Sequence, residues 1–523
     1  MFITPTLYIA ATLVAVPSYP EGADIPRNLT KEEARYIKRH PITVPRGITS
    51  PPSGPIHCVA EYEPMDGILL AWEGYSSIVA EMAARITTVG DADAVIVIDQ
   101  SNEQSQALAQ VASYGGNTDR VKFYYRTIDT VWIRDYGPRY IYEGDCRAIV
   151  DHTYNRPRPN DNALNGHFAE EVGHALYELP LVHGGGNFHL NGIDAKGWAT
   201  ELISNENNGM SDAEIRGYWQ DYQNLQVTIT DAFPTSVDST QHIDMWMCWA
   251  SDTTCVISDW PYNSGSTQDQ ICDSVATSLQ SQGYTVVRIP ARSVSWTHYT
   301  YANSVICNDL VLVPSFTNSQ VSQYNDDAVA AWQQACPEKT ILSVPCESIV
   351  SSAGVMHCIC MHIPKHLGGE SPTVYVQSPN GGVVYEPNQV VPVTWITDDD
   401  NAVNYVDIDF SADGGITWQS ISSGTSDDGF HPWQVPDVNT SSGLIRVVAY
   451  DNDGNSGVDQ GDGFFSINGT AVAGDVNGDG LVNVSDLLAV IDAWGDCDFS
   501  CPEDLNGDGM VDVVDLLAVI GAW

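Results

Sequence analysis

Between residues 60 and 364, short apolar runs alternate with stretches whose apolar residues recur every three or four positions. The runs predict strands at 94–99 (AVIVID), 121–127, 146–154, 254–260, 285–291 and 309–316. The periodic stretches predict helices at 77–89, 103–114, 168–179, 212–223, 268–283 and 324–336. Strands and helices that alternate over this length specify an α/β domain. Residues 351–365, SSAGVMHCICMHIPK, stand out. Read as a strand, they put Cys358, Cys360 and His362 on one face, with Ile359, Met361 and Ile363 on the other. Three readings compete there. Cys358 is a nucleophile, or all three residues bind a metal, or all three are inert core residues.

The pattern changes after residue 370. Residues 371–468 lack helical periods and carry short Val/Thr/Ser-rich runs separated by turn signals, which reads as an immunoglobulin-like β-sandwich. Residues 474–523 are a tandem repeat. GDVNGDGLVNVSDLLAVIDAW realigns with EDLNGDGMVDVVDLLAVIGAW, and each copy holds D-x-N-x-D-G ahead of an apolar LLAVI run. Oxygen ligands at calcium-loop spacing come from Asp475, Asn477, Asp479, the Leu481 carbonyl, Asn483 and Asp486. The second loop supplies Asp504, Asn506, Asp508, the Met510 carbonyl, Asp512 and Asp515. Position 12 is Asp where Glu is usual. The pair resembles a dockerin module, which implies two Ca2+ ions and a cohesin-type protein partner.

The chain has 523 residues, 43% of them hydrophobic, so two or three domains with real cores are expected. Lys and Arg number 22 against 67 Asp and Glu, a net charge of -45. Such a surface repels nucleic acid and anionic membranes and attracts cations. Arg446 is the lone base after residue 370. Of 12 cysteines, Cys497 and Cys501 are close enough in the tail for a local bridge. Residues 7–16 have the length of a signal-peptide core but no preceding Lys or Arg, so 1–20 is read as a signal peptide that departs from the usual pattern. Secretion is the expectation. No run is long enough for a membrane span. Residues 21–59, rich in Pro and charge, read as a surface leader with a short helix near 30–38.

Several motifs carry chemistry. VWIRDYGPRY places Asp135 between Arg134 and a turn; its bland reading is a salt-bridged loop carboxylate. QHIDMWMCW puts His242 and Asp244 two apart, on one face if extended. Acidic and imidazole groups beside so many aromatics are costly to bury unless paired or functional. His183-Gly-Gly-Gly-Asn187 suggests backbone passing close to a ligand. It also mimics a lipase oxyanion loop, but no G-x-S-x-G exists, so a serine hydrolase is excluded. A thiol, an imidazole and two carboxylates in an acidic protein suit a planar cation such as guanidinium, which matches carboxylates bidentately. Its poorly electrophilic carbon needs a strong nucleophile, so deimination is the chemistry suggested.

Taken in order, VWIRDYGPRY, VDHTYNRPRPND, HGGGNFHLNG, QHIDMWMCW, YTYANSVICND and GVMHC resemble bacterial peptidylarginine deiminases of the Porphyromonas type over roughly 60–364, which implies a catalytic domain over 60–368. Agmatine deiminases, their relatives, resemble the chain at fewer of these points. The resemblance implies a pentein fold, a five-bladed α/β propeller. It implies Cys358 as nucleophile, His242 as acid/base, Asp135 and Asp244 as guanidinium clamps and Asn303 near the thiolate. It also implies substrate contacts from Trp132, Gly185, Gly186, Asn187, Arg156 and Arg158, and no catalytic cofactor. The family has Tyr three residues before the catalytic His; here Ser239 stands there. The expected activity is hydrolysis of peptide arginine to citrulline and ammonia, with C-terminal arginine preferred through a carboxylate clamp at Arg156 and Arg158. Agmatine deimination and a non-catalytic binding subunit are the competing functions. A papain-like protease is disfavoured by the paired Asp residues.

Overall fold

The computed structural model describes residues 16–20, 22–44, 49–470, 472–497 and 501–523. Residues 1–15, most of the signal-peptide reading, lie outside the described residues.

Residues 56–364 form five small sheets built on one plan. A strand crosses over through a helix to a parallel neighbour, and an antiparallel strand flanks the pair. Thus Met65–Ala71 leads through the helix Ser76–Ile86 to the parallel strand Asp93–Ile98. Cys146–Tyr154 leads to Ala175–His183, Lys196–Thr200 to Gln226–Thr230, Thr254–Asp259 to Thr285–Val294, and Leu310–Ser315 to Thr340–Pro345. Parallel neighbours need such a crossover, which explains the alternation in the sequence. The strand Cys360–Pro364 returns to pair antiparallel with Met65–Ala71, so the end of the domain completes its first sheet.

The helices at Asp212–Gln223, Thr267–Ser281 and Asn325–Ala335 fall where the periodicity put them. One expectation fails. The helix read over 168–179 is a shorter helix, Leu164–Val172, followed by the strand Ala175–His183. Gly173, at a φ of 73°, ends the helix in the left-handed conformation that glycine adopts without strain. The strand's apolar run is buried in the sheet and mimics helical spacing when read alone.

The leader is also corrected. Residues 56–58 are a strand of the second sheet, and Ile25, Arg27 and Glu33 are buried rather than on the surface. Helix Lys31–Ile37 is capped by Thr30, whose hydroxyl accepts from the Glu33 amide while the Glu33 carboxylate accepts from the Thr30 amide.

Residues 373–468 form two antiparallel-rich sheets around Val376, Val393, Trp395, Ile408, Ile445 and Val447. Asp398 ties them to the five-sheet region. It accepts from Arg147 Nε and Nη2, both at 2.9 Å, and faces His174 and His366. The tail has two helices, Val484–Asp492 and Val513–Ala522, over a core of Val476, Val490, Val511 and Val519. Cys497 and Cys501 are joined by a disulfide. Among the described residues no helix is long and apolar enough to cross a membrane.

Candidate active site

Five segments that lead into successive sheets converge on one buried point. Asp135 lies in the short helix Ile133–Tyr136, just before the strand Arg139–Glu143. Gly185 and Gly186 precede His189–Asn191, and His242 and Asp244 precede Met247–Ser251. Asn303 precedes Val305–Cys307, and Cys358 precedes Cys360–Pro364. Residues far apart in sequence meet because each segment runs into the antiparallel strand that flanks its sheet's parallel pair.

At that point sits the guanidinium of Arg27, which is 0% exposed. Its Nη2 and Nε donate to Asp135 Oδ1 and Oδ2 at 2.7 and 2.9 Å. Its Nη1 and Nη2 donate to Asp244 Oδ1 and Oδ2 at 3.1 and 3.0 Å. Two bidentate carboxylates thus hold one planar cation. His242 Nδ1 is 2.7 Å from Nη2, and Cys358 Sγ is 2.6 Å from Nη1. Asn303 donates to the Asp244 main-chain oxygen at 3.0 Å and accepts from Cys358 Sγ at 3.3 Å. Met245 Sδ touches Nη1 at 3.5 Å.

Gly186 is fixed by this geometry. A Cβ there would lie 1.8 Å from Arg27 Nη2 and 2.7 Å from Asp135 Oδ1. Its amide donates to Asp135 Oδ1, and its carbonyl accepts from the Asp244 amide at 3.1 Å. Gly185 binds the Asp135 main-chain oxygen and leaves no room beside the Arg134 carbonyl. Asn187, expected to meet substrate, instead pairs its side chain with the Thr200 main chain at 3.0 and 3.4 Å. It fixes the glycine loop from behind.

Two local readings are corrected. Cys358 is in a 3-10 turn, His357–Ile359, and not in the strand, so it does not share a strand face with Cys360 and His362. Those two face Arg134, at 3.6 and 3.0 Å, which puts a cation where the metal reading needed a metal. Asp244 likewise lies in a 3-10 turn, Ile243–Met245, with His242 in extended backbone immediately before it, rather than both on a strand. Both still reach Arg27, because the tight turn aims alternate side chains inward. Beyond its bond to Gly185, the backbone also orients Asp135 through His152, whose Nε2 lies 2.8 Å from the Asp135 carbonyl oxygen.

Arg156 and Arg158 do lean to the same side. Neither forms a hydrogen bond with Asp151 or Asp161, whose carboxylates serve Asn165 and the Asp129–Thr130 amides. Arg156 Nε donates to the Arg27 carbonyl at 3.2 Å. Arg158 pairs with Glu33 at 2.8 Å and donates to the Pro26 carbonyl at 2.8 Å. Trp132 donates from Nε1 to the Ile25 carbonyl at 2.7 Å, so it binds backbone as well as lining the site.

Sequence reasoning missed Arg27, Glu61 and His357. His357 bridges Asp244 Oδ2 (3.0 Å) and Glu61 Oε2 (2.9 Å) and so orients one guanidinium clamp. Its place beside Cys358 was the available signal. Arg27 and Glu61 carry no local pattern that marks them.

Charge follows the geometry. Burial alone would raise the Asp135 and Asp244 carboxyls, but Arg27 holds both well below the usual carboxylate range, with His242 adding to the effect. Burial pushes the Cys358 thiol well above its ordinary range; the Arg27 cation opposes that, and Asp244 and Asp135 reinforce it.

A thiol, an imidazole and two carboxylates closed on a guanidinium define a guanidine-modifying deiminase, a hydrolase of C–N bonds in linear amidines. The chain belongs to the Porphyromonas-type peptidyl-arginine deiminase family, which matches residues 57–364. A provisionally named agmatine deiminase of Streptomyces coelicolor is 25% identical over 344 residues, 58% of this chain and 98% of its own. A substrate-bound agmatine deiminase of C. jejuni superposes with a TM-score of 0.51 at 18% identity, over 60% of this chain and 97% of that one. The Enterococcus faecalis agmatine deiminase does so at 0.53 and 18%, over 62% and 100%. These likenesses carry the fold.

Proposed function

We propose that the enzyme deiminates peptide-borne arginine, releasing ammonia and leaving citrulline. The carrying observation is that the arginine in the site is bound by its main chain as well as its guanidinium. The Arg27 amide donates to the Ser352 carbonyl at 2.9 Å, its carbonyl accepts from Arg156, and the Ile25 carbonyl accepts from Trp132. Agmatine has no such groups. In this reading Cys358 Sγ adds to the guanidinium carbon, and His242 protonates the departing nitrogen at the Nη2 position. Water, deprotonated by His242, then displaces the thiolate. Asp135 and Asp244 hold the carbon in place, and Asn303 fixes the thiol. Ionisation of the buried thiol is coupled to arrival of the cation, because that cation is the main offset to the two carboxylates.

The five sheets are read as the blades of a closed propeller, residues 371–468 as an Ig-like sandwich and 474–523 as a dockerin on a secreted enzyme. The tail's donor set is all oxygen, as calcium prefers, and burial together with Asp479 and Asp486 raises the Asp475 carboxyl, a crowding that a cation relieves. Leu488, Ile491 and Trp494 of the first repeat and Leu517, Ile520 and Trp523 of the second are each about half exposed or more. Matched apolar positions on both helices suit a protein partner of the cohesin kind.

The test is ureido-product formation from internal-arginine peptide, C-terminal-arginine peptide, free arginine and agmatine. Turnover confined to agmatine overturns the peptide reading, and absence of any ureido product favours the binding-subunit alternative.

A further inference from the structure

The occupant of the site is the protein's own chain, and it is held as a substrate would be. The strap around Arg27 is fastened on both sides. Upstream, Gly22 donates its amide to Glu73 at 2.9 Å, and Ile25 is bound by Trp132. Arg158 spans Arg27, binding the Pro26 carbonyl just upstream and Glu33 downstream, where the capped helix Lys31–Ile37 follows. No outside guanidinium can enter while Arg27 is there, because its four carboxylate contacts, the imidazole and the thiol are the whole of the proposed chemistry.

We propose that Arg27 is a self-deimination site: the enzyme converts its own Arg27 to citrulline, and this conversion unblocks the active site. The inference rests on the deiminase reading above. Cys358 Sγ lies 2.6 Å from Nη1 and His242 Nδ1 2.7 Å from Nη2, so the nucleophile and the acid/base both touch the guanidinium before any step begins. The Cys358 Sγ–Cζ bond forms and the Cζ–Nη2 bond breaks, the electron pair leaving with nitrogen as ammonia on a proton from His242. One water then forms the Cζ–O bond and gives one proton to His242; the Cζ–Sγ bond breaks with its electron pair on sulfur, and the second water proton passes to the released ammonia as the carbonyl forms. The ureido group that remains is neutral. Asp135 and Asp244 lose their counter-ion while still buried, and an uncompensated buried charge is strongly unfavourable. The strap is therefore expelled, and a cationic substrate replaces it.

The experiment uses the full chain as wild type, Cys358→Ser and Arg27→Gln. Peptide mass spectrometry at residue 27 and initial rates on an added arginyl peptide are read together. In wild type, residue 27 gains the mass of NH replaced by O, with a rate constant independent of protein concentration, and activity on the added peptide rises in step. Cys358→Ser keeps arginine at 27, even when mixed with wild type. Arg27→Gln starts without a lag, ~tenfold or more above unconverted wild type, because its site is free from the outset. Arginine retained at position 27 in wild type that turns over added peptide overturns the inference while the deiminase reading stands. Conversion of Arg27 in Cys358→Ser by added wild type overturns the intramolecular route. Failure of both wild type and Arg27→Gln on every guanidinium substrate overturns the deiminase reading itself.

Discussion

Arg156 Nε donates to the main-chain carbonyl oxygen of Arg27 at 3.2 Å. When the arginine in the site is the last residue of a peptide, that oxygen is half of a carboxylate, and the same bond becomes an ion pair. Arg156→Ala is therefore expected to cost a C-terminal-arginine peptide about 1.5–3 kcal/mol, roughly ten- to a hundredfold in kcat/KM, and its C-terminal amide distinctly less. Equal losses on both peptides would assign Arg156 a purely structural role. Arg158, held by Glu33 and Pro26 of the strap, is released when the strap leaves, and Arg158→Ala is read on the same pair of peptides.

Gly186→Ala tests the close approach of backbone to substrate. The added Cβ falls within 1.8 Å of the Nη2 position and 2.7 and 2.8 Å from Asp135 Oδ1 and Asp244 Oδ2, carboxylates that cannot give way without releasing the guanidinium they clamp. Loss of detectable turnover with an unchanged circular dichroism spectrum is expected. Activity within tenfold of wild type would show that guanidinium sits elsewhere.

Cys358→Ser is expected to fold normally and lose several orders of magnitude in rate, since no alkoxide forms there at neutral pH. The thiol itself gives a pH signature. Its ordinary value is about 8.5, and burial with two carboxylates raises it, so alkylation of Arg27→Gln should accelerate with a midpoint above that value. A guanidinium ligand should move the midpoint down. A midpoint below the ordinary value in the ligand-free variant would reverse the assigned electrostatics.

Asp398 joins the catalytic region to the following sheets. Burial opposes its charge, yet His174, His366 and Arg147 hold its carboxyl well below the usual range. A depressed carboxyl contributes stability above its unfolded value, about 3.9, and loses it as pH falls below that toward the folded value. Asp398→Asn is expected to cost about 3–5 kcal/mol near neutrality by leaving Arg147 buried without its main partner. Thermal melts across the acid range should then show a flatter loss in the variant. A wild-type slope in the variant would remove Asp398 from acid unfolding.

Calcium added to the full chain should bind at two sites and raise the melting temperature of the tail, because Asp475, Asp479 and Asp486, and their counterparts in the second loop, repel one another without an ion. Chelation should leave turnover of a small arginyl peptide intact. Calorimetry showing no uptake would refute the loops as calcium sites.

The sequence by itself determined the elements whose pattern is local. Helices such as Asp212–Gln223 and the strand Cys146–Tyr154 were legible residue for residue, since their burial imposes a period. Motif order pointed to Cys358, His242, Asp135, Asp244 and Asn303, and glycine spacing marked the loop where backbone meets substrate. The tertiary structure decided what depends on neighbours distant in the chain. The 3-10 turns at His357–Ile359 and Ile243–Met245 replace the extended geometry that parity suggested, because each turn must aim side chains at a centre defined by five sheets. Arg27 is the clearest case. An arginine in a polar leader has no local reason to be buried. Only the convergence of two carboxylates from opposite sides creates a site where its charge is worth more than its hydration.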